Sequence, residues 1–255
     1  MVSGLVGKLA SLSAGISSGE FSIGTLISST FSVLNGAFGK FIALAAIPLI
    51  PNLVTIVIGG GTTPADSGRL IITGIASIVS AILAFMIQGA IVFGATNEMR
   101  GRPFSIGDAL SKGLARFLPL LGVAIVCGVA IVIGFALLIV PGLILLCIWY
   151  AAGAVCVVEQ RGVFASMSRS AELSKGYRWK ILGLLLIVGI ATAVVEGVIA
   201  GVGRAVGGAL VGSLVVLIIQ LYATAFGSVL VALVYYCLRS IKEGIDIDRI
   251  ADVFD

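Results

Sequence analysis

Four long stretches of this sequence contain no Asp, Glu, Lys or Arg, and a fifth contains a single acidic residue. They are residues 41–65, 70–97, 117–158 and 205–238, and residues 181–203 with Glu196. A helix that crosses a bilayer needs about 20 consecutive, mostly apolar residues. Only 11% of the chain is charged, against about 25% in soluble domains. The sequence therefore indicates a membrane protein.

The longest charge-free stretch is long enough for two spans. The pair Pro141-Gly142 near its middle predicts a tight turn between them. The chain is thus predicted to be all-α and polytopic, with six transmembrane helices near residues 41–60, 70–93, 117–139, 142–158, 180–203 and 210–238. We expect a transmembrane domain over residues 21–238, between a loosely ordered N-terminus (1–20) and an acidic cytoplasmic tail (239–255).

The basic residues predict the orientation of these helices. With six spans, both termini and the stretches 96–116 and 159–180 lie on one side, which holds 14 of the 16 Lys and Arg residues. The other side holds Arg69 and Arg204. Cytoplasmic loops are enriched in Lys and Arg, so we expect a multi-pass protein of the bacterial inner membrane with both termini in the cytoplasm. Topology also explains the net charge of +4, so no nucleic-acid partner is expected.

The tetrapeptide FSIG occurs twice, at residues 21–24 and 104–107, each time shortly before an apolar stretch. Ser22 and Ser105 can each accept a hydrogen bond from the amide three residues on, as an N-cap does, and the preceding Phe can pack against the first turns. Apolar residues then recur at helical spacing. These patterns predict amphipathic helices over 22–36 and 105–116, lying in the cytoplasmic interface against lipid or the bundle.

A third amphipathic helix is predicted over residues 163–176. Val163, Met167 and Ala171 share a helical face there, although the FSIG start is absent. The chain is then divided into three successive units, each an interfacial helix followed by two spans, over 21–93, 104–158 and 163–238. Because the units have no fixed period, we interpret them as a pseudo-repeat.

The fourth span and the segment after it combine a Pro-Gly pair, a span ending in Glu, and a helix with a Ser, Leu, Ser, Gly run and an aromatic residue. These positions are Pro141, Gly142, Glu159, Ser170, Leu173, Ser174, Gly176 and Trp179. With the start FSIGTLISSTFSVL and the tail YYCLRSIKEGIDID, this pattern resembles the membrane domain of bacterial glycerophosphodiester phosphodiesterases and related uncharacterised six-helix membrane proteins. Cys237 departs from the pattern, which has Asp there.

The resemblance implies a membrane module and assigns no chemistry to named residues. In fused members of the family the hydrolase is a separate soluble domain after the membrane part, and we expect no such domain within these 255 residues. Such a hydrolase would use metal-binding carboxylates and His, and the chain contains no His. The four Cys lie in predicted spans without CxxC spacing. We therefore expect no metal, no cofactor and no enzymatic activity.

Glu196 is the one ionisable residue predicted inside the bilayer. A carboxylate there is costly, so it should face the bundle or water and have a partner. Gln88 and Gln220 could hydrogen-bond it across helices. Two interpretations remain open: an intramembrane site for transport or proton relay, and a structural Glu near the outer interface, with both Gln residues as interhelical contacts.

Basic and aromatic residues cluster between the fourth and fifth spans. They are Arg161, Arg169, Lys175, Arg178, Trp179 and Lys180. Such a cluster can hold anionic lipid headgroups, with about 1 kcal/mol from each basic residue. It can also serve only to anchor the topology.

Taken together, these features favour a non-enzymatic protein that binds membrane lipid or a protein partner in envelope or lipid homeostasis. Glycines four apart, such as Gly197 and Gly201, also allow a homo-oligomer. The alternative is a transporter or lipid-moving protein that uses a cavity near Glu196 and Gln220. A water-accessible cavity converging on Glu196 would favour transport, whereas lipid-filled grooves in a closed bundle would favour the binding module.

Overall fold

The computed structural model describes residues 21–59, 67–99 and 101–243. Six helical segments among these residues are long and apolar enough to cross a membrane, and we number them spans 1 to 6: Phe38–Ile56, Leu70–Met99, Phe117–Leu137, Ile139–Val158, Arg178–Gly208 and Val211–Glu243. This confirms the predicted all-α, polytopic class, with boundaries close to the predicted ones. The predicted N-terminal segment 1–20 and residues 244–255 of the acidic tail lie outside the described residues.

Three shorter helices alternate with pairs of spans. They are α1 (Ile23–Gly36) before spans 1 and 2, α2 (Ile106–Ala115) before spans 3 and 4, and α3 (Val163–Ser174) before spans 5 and 6. The three amphipathic helices thus form where the sequence predicts them. Their position in the membrane interface and their relation as a pseudo-repeat stay predictions.

Both FSIG segments begin their helices through a serine cap. The Oγ of Ser22 accepts a hydrogen bond from the amide three residues on at 3.5 Å, and the Oγ of Ser105 accepts one from the Asp108 amide at 3.0 Å. The Ser105 hydroxyl also donates to the Asp108 carboxylate, at 2.5 Å. Phe21 and Phe104 are buried, so each copy fixes the chain in the core directly before its helix begins.

Helix α2 packs on span 2 through small residues. Ala109 and Gly113 are buried, and a Cβ on Gly113 would lie 3.0 Å from the backbone nitrogen of Ala90. The larger Ile106 and Leu114 are 38% and 50% exposed. Because the two helices approach so closely at the small residues, the large apolar side chains remain at the surface, where lipid can cover them.

The turn between spans 3 and 4 lies at Leu138, so its predicted position at Pro141-Gly142 is wrong. Leu138 is extended (φ −161°, ψ 150°), and Pro141 and Gly142 both belong to the start of span 4. Proline is tolerated there because the first N–H groups of a helix have no partner within it. Gly142 instead permits a close helix crossing, since a Cβ on Gly134 would lie 3.1 Å from the Gly142 Cα.

Other helices are also interrupted. Span 1 belongs to the helices Phe38–Ala46 and Ile50–Gly59, which the 3-10 turn Ile47–Leu49 joins, and span 4 consists of Ile139–Trp149 and Ala152–Val158. Span 2 belongs to the helix Ser67–Met99, and spans 5 and 6 to the segment Arg178–Glu243. That segment breaks at Gly208, which has φ 73° and ψ −170°. This left-handed φ strains any other residue, so Gly208 makes the turn between the last two spans.

The best-buried part of the bundle is the end that carries the three short helices. Apolar residues at that end of the spans are almost fully buried, as in Phe41, Ile91, Ala154, Ile181 and Leu238. Large apolar residues at the opposite end are mostly exposed, as in Ile72, Val132, Leu138, Val202 and Val206. A soluble monomer rarely exposes so large an apolar surface to water, so these ends of the spans suit a hydrocarbon environment.

Candidate functional site

Glu159, at the end of span 4, is the centre of a buried ion-pair network. Its side chain is 7% exposed, and its carboxylate lies 2.7 Å from the Arg161 Nε and 3.3 Å from the Arg169 Nε. The Tyr235 phenol donates a hydrogen bond to the same carboxylate at 3.1 Å. Burial of a carboxylate is costly unless it is paired and hydrogen-bonded, and these three donors provide both kinds of contact.

The network continues to the end of span 6. Arg169 also pairs with Glu243, and with the exposed Glu172 at 3.5 Å. Arg239 pairs with Glu243 at 2.8 Å and donates a hydrogen bond to the Tyr235 hydroxyl at 3.0 Å. Helix α3 is therefore tied by charge both to span 4 and to the last turns of span 6.

Serine residues hold the other side of α3 against span 4. The Ser170 and Ser174 hydroxyls donate to the Ile148 carbonyl at 2.8 and 3.3 Å. That carbonyl lies just before the interruption of span 4 at Tyr150 and Ala151, where the regular helical hydrogen-bonding pattern is broken. With Leu173 almost fully buried between them, the two serines fix the position of α3.

The structure divides the six predicted headgroup residues into two groups. Arg161 and Arg169 form ion pairs with Glu159 within the network. The remaining four lie where α3 ends and span 5 begins, and we call them the junction cluster: Lys175, Arg178, Trp179 and Lys180.

The two lysines of the junction cluster are exposed, whereas the Nε of Arg178 is buried. Trp179 is 85% exposed, Lys175 and Lys180 are exposed, and Arg178 is half-buried. Within the described residues, none of the three cations forms an ion pair with a carboxylate. The Lys180 Nζ lies 5.8 Å from the centre of the Tyr177 ring. Tryptophan and Lys at a helix end are typical of the level of lipid headgroups.

The three intramembrane polar residues predicted from the sequence lie on three different spans. Glu196 on span 5 and Gln220 on span 6 are both half-buried, as is Gln88 on span 2. No hydrogen bond joins any two of them in the described part of the chain. Glu196 lies in the half of span 5 nearer Gly208, far along the chain from the junction cluster.

A cavity of about 450 Å³ lies among spans 2, 4, 5 and 6. Its lining is mostly apolar, and its polar members are Gln88, Tyr150, Thr224 and Ser228. Glu196 and Gln220 are not among its lining residues. The sequence identified Gln88 as a polar residue within a span. No pattern in it predicted that Tyr150, Thr224 and Ser228 would lie beside Gln88.

Comparisons with protein-family models, with curated proteins and with solved structures find no match for this chain. The resemblance to the phosphodiesterase membrane domain therefore stays a prediction. Among the residues that the structure describes, no three Cys, Asp or Glu side chains are grouped so that they could hold a metal ion.

Proposed function

We propose that this chain is a non-enzymatic protein of the bacterial inner membrane that binds anionic lipid at the junction cluster and acts in envelope or lipid homeostasis. The observation that carries the proposal is the separation of the basic residues into two groups. Arg169 is neutralised by three carboxylates, whereas Lys175 and Lys180 have exposed charges beside Trp179. Unneutralised cations beside a tryptophan at a span end fit a phosphate-bearing headgroup.

The ion-pair network supports this role by holding the cluster in place. Helix α3 is fixed by Glu159 on one side and by the Ile148 carbonyl on the other. The residues after α3 are therefore presented at a defined position against the start of span 5. Because the cluster is already ordered, a lipid would lose less free energy on binding than it would on a mobile loop.

The proposal is tested by native mass spectrometry of the full chain released from nanodiscs of phosphatidylcholine and phosphatidylglycerol. We expect the protein to retain phosphatidylglycerol, and the double substitution Lys175→Gln/Lys180→Gln to weaken that retention. At about 1 kcal/mol for each Lys, two losses correspond to roughly thirtyfold in affinity. Trp179→Leu should weaken retention of both lipids, because it removes an interfacial anchor without changing the charge.

The matched control removes the same charge from the same side of the protein. Lys112 on α2 and Lys242 near the end of span 6 are both exposed, so Lys112→Gln/Lys242→Gln should retain phosphatidylglycerol like the unsubstituted protein. If both double substitutions weaken retention equally, general surface charge and not the junction cluster attracts the lipid. In that case the proposed site is wrong.

Transport through a cavity at Glu196 and Gln220 is the alternative function. The cavity among the spans is lined by Gln88 and by neither of those two residues. Binding of lipid is the function that the residues support better.

A further inference from the structure

The cavity among spans 2, 4, 5 and 6 has a polar content that packing does not explain. The amide of Gln88, the phenol of Tyr150 and the hydroxyls of Thr224 and Ser228 all line it. The structure gives none of the four side chains a hydrogen bond to another residue that it describes. Polar groups inside a membrane are costly without a partner, so four of them at one cavity indicate that something else provides the hydrogen bonds.

The cavity is open where its lining residues Phe85 and Gly189 are exposed, near the middle of spans 2 and 5. Its rim includes Phe85 on span 2, which is 40% exposed, and Gly189 on span 5, while Ser228 and Leu230 on span 6 are buried. At about 1.5 Å per helical residue, Gln88 and Gly189 each lie roughly 16 Å from the span ends that carry the short helices. The hydrocarbon layer is about 30 Å thick, so the opening faces lipid chains.

The lining also excludes a charged occupant. None of its residues is Asp, Glu, Lys or Arg, so a phosphate at this depth would have no counter-ion and would be strongly disfavoured. An ordinary acyl chain could enter but would leave all four polar side chains without partners. A lipid that carries an uncharged hydroxyl next to its alkyl chains satisfies both the polar and the apolar lining.

We propose that this cavity binds an uncharged, hydroxyl-bearing lipid of the diacylglycerol type, which enters sideways from the bilayer. The volume of about 450 Å³ lies within the range of roughly 300–1,000 Å³ for small-molecule sites. The hydroxyl and ester groups bond to the side chains of Gln88, Tyr150, Thr224 and Ser228, and the alkyl chains extend out past Phe85. This site is separate from the junction cluster and has a different ligand.

The test uses the full chain in phosphatidylcholine nanodiscs that contain dioleoylglycerol, and native mass spectrometry measures the fraction of protein that retains one dioleoylglycerol. Gly227 lines the cavity, and a Cβ on it would meet nothing within 4 Å. Gly227→Phe should therefore fill the cavity and lower retention at least about tenfold. Gly197 also has nothing within 4 Å of an added Cβ but does not line the cavity, so Gly197→Phe should retain dioleoylglycerol unchanged.

The hydrogen bonds are tested by the combined substitution Gln88→Leu, Thr224→Val and Ser228→Ala, for which we expect about a fivefold or larger loss of retention. If Gly227→Phe fails to fold, as judged by its elution and apparent Tm, Gly189→Phe at the rim replaces it, because an added Cβ there also meets nothing within 4 Å.

Equal retention in the cavity variants and the unsubstituted protein would overturn the proposal. So would an absence of retained dioleoylglycerol, or its displacement by an equal amount of dioleoylphosphatidylglycerol, because the lining excludes a charged phosphate. Lys175→Gln/Lys180→Gln should leave dioleoylglycerol retention unchanged. A failure of the junction cluster to bind anionic lipid is therefore distinguishable from a failure of this cavity site.

Discussion

At the scale of single residues, Glu159 is the least exposed charged side chain of the network and has three partners in it. Its carboxylate is 7% exposed and is paired with Arg161 and Arg169. Glu159→Gln removes the negative charge and leaves Arg169, itself 17% exposed, with less compensation. Since removal of one partner from a buried pair costs about 3–5 kcal/mol, we expect a loss of about 3 kcal/mol in the free energy of unfolding, measured by denaturant titration in detergent micelles.

Glu172 provides the matched control for this substitution. It contacts the same Arg169, at 3.5 Å, but its side chain is 66% exposed. Exposed pairs contribute less than about 1 kcal/mol, so Glu172→Gln should leave the unfolding midpoint nearly unchanged. A loss in Glu172→Gln as large as that in Glu159→Gln would contradict the assignment of the stability to burial.

The network illustrates which residue-level features the sequence could predict. Glu196 was noticeable because it is the only charged residue in its stretch. Glu159 was identified only as part of the family resemblance, and its pairing with Tyr235 joins residues that are 76 positions apart. The separation of the six basic residues into an ion-paired group and the junction cluster depends on such long-range contacts. These long-range contacts cannot be predicted from the local sequence.

At the scale of elements, the crossing of α2 over span 2 depends on one glycine. A Cβ on Gly113 would lie 3.0 Å from the Ala90 nitrogen and 3.0 Å from the Met86 carbonyl oxygen, both backbone atoms that cannot move independently. Overpacking costs about 1–3 kcal/mol, so Gly113→Leu should lower the free energy of unfolding by at least about 2 kcal/mol. The apparent Tm in detergent gives a rapid check.

The same substitution at Gly107 separates helix propensity from packing. Gly107 also lies in α2, but an added Cβ there meets only the Ser105 Oγ, at 3.8 Å. Leu is a better helix former than Gly, so Gly107→Leu should be neutral or slightly stabilising. If Gly113→Leu behaved in the same way, α2 would not be packed on span 2 as described.

Element starts were predictable from sequence because a cap is a local structure. Ser22 and Ser105 bond to the amide three residues away, so the tetrapeptide contains the necessary information. The Pro141-Gly142 turn was mispredicted because the same pair is also compatible with the first residues of a helix. The choice between the two depends on the close crossing of Gly134 and Gly142, which is a tertiary contact.

At the scale of the whole molecule, burial is concentrated at the end with the short helices, and the opposite ends of the spans expose apolar side chains. The number of spans followed from the four charge-free stretches, the stretch with Glu196, and the length of residues 117–158, which is enough for two spans. The cavity could not be predicted in this way, because it is formed where four spans fail to fill the space between them. The residue types that line the cavity are the same as those that pack tightly elsewhere in the spans, so the sequence does not distinguish them.

The orientation of the whole molecule can be tested by labelling introduced cysteines. The four native cysteines are buried, so they should react slowly with a membrane-impermeant maleimide. Ser111 on α2 and Ser168 on α3 are exposed, and Val206 near the Gly208 turn is 85% exposed. The excess of Lys and Arg predicts that α2 and α3 lie on the cytoplasmic side, so Ser111→Cys and Ser168→Cys should label in inverted vesicles and be protected in spheroplasts. Val206→Cys should show the reverse.

Two outcomes would contradict this topology. Labelling of Ser111→Cys and Ser168→Cys from opposite sides would contradict the even number of spans between α2 and α3. A reversed pattern at all three positions would mean that both termini lie outside.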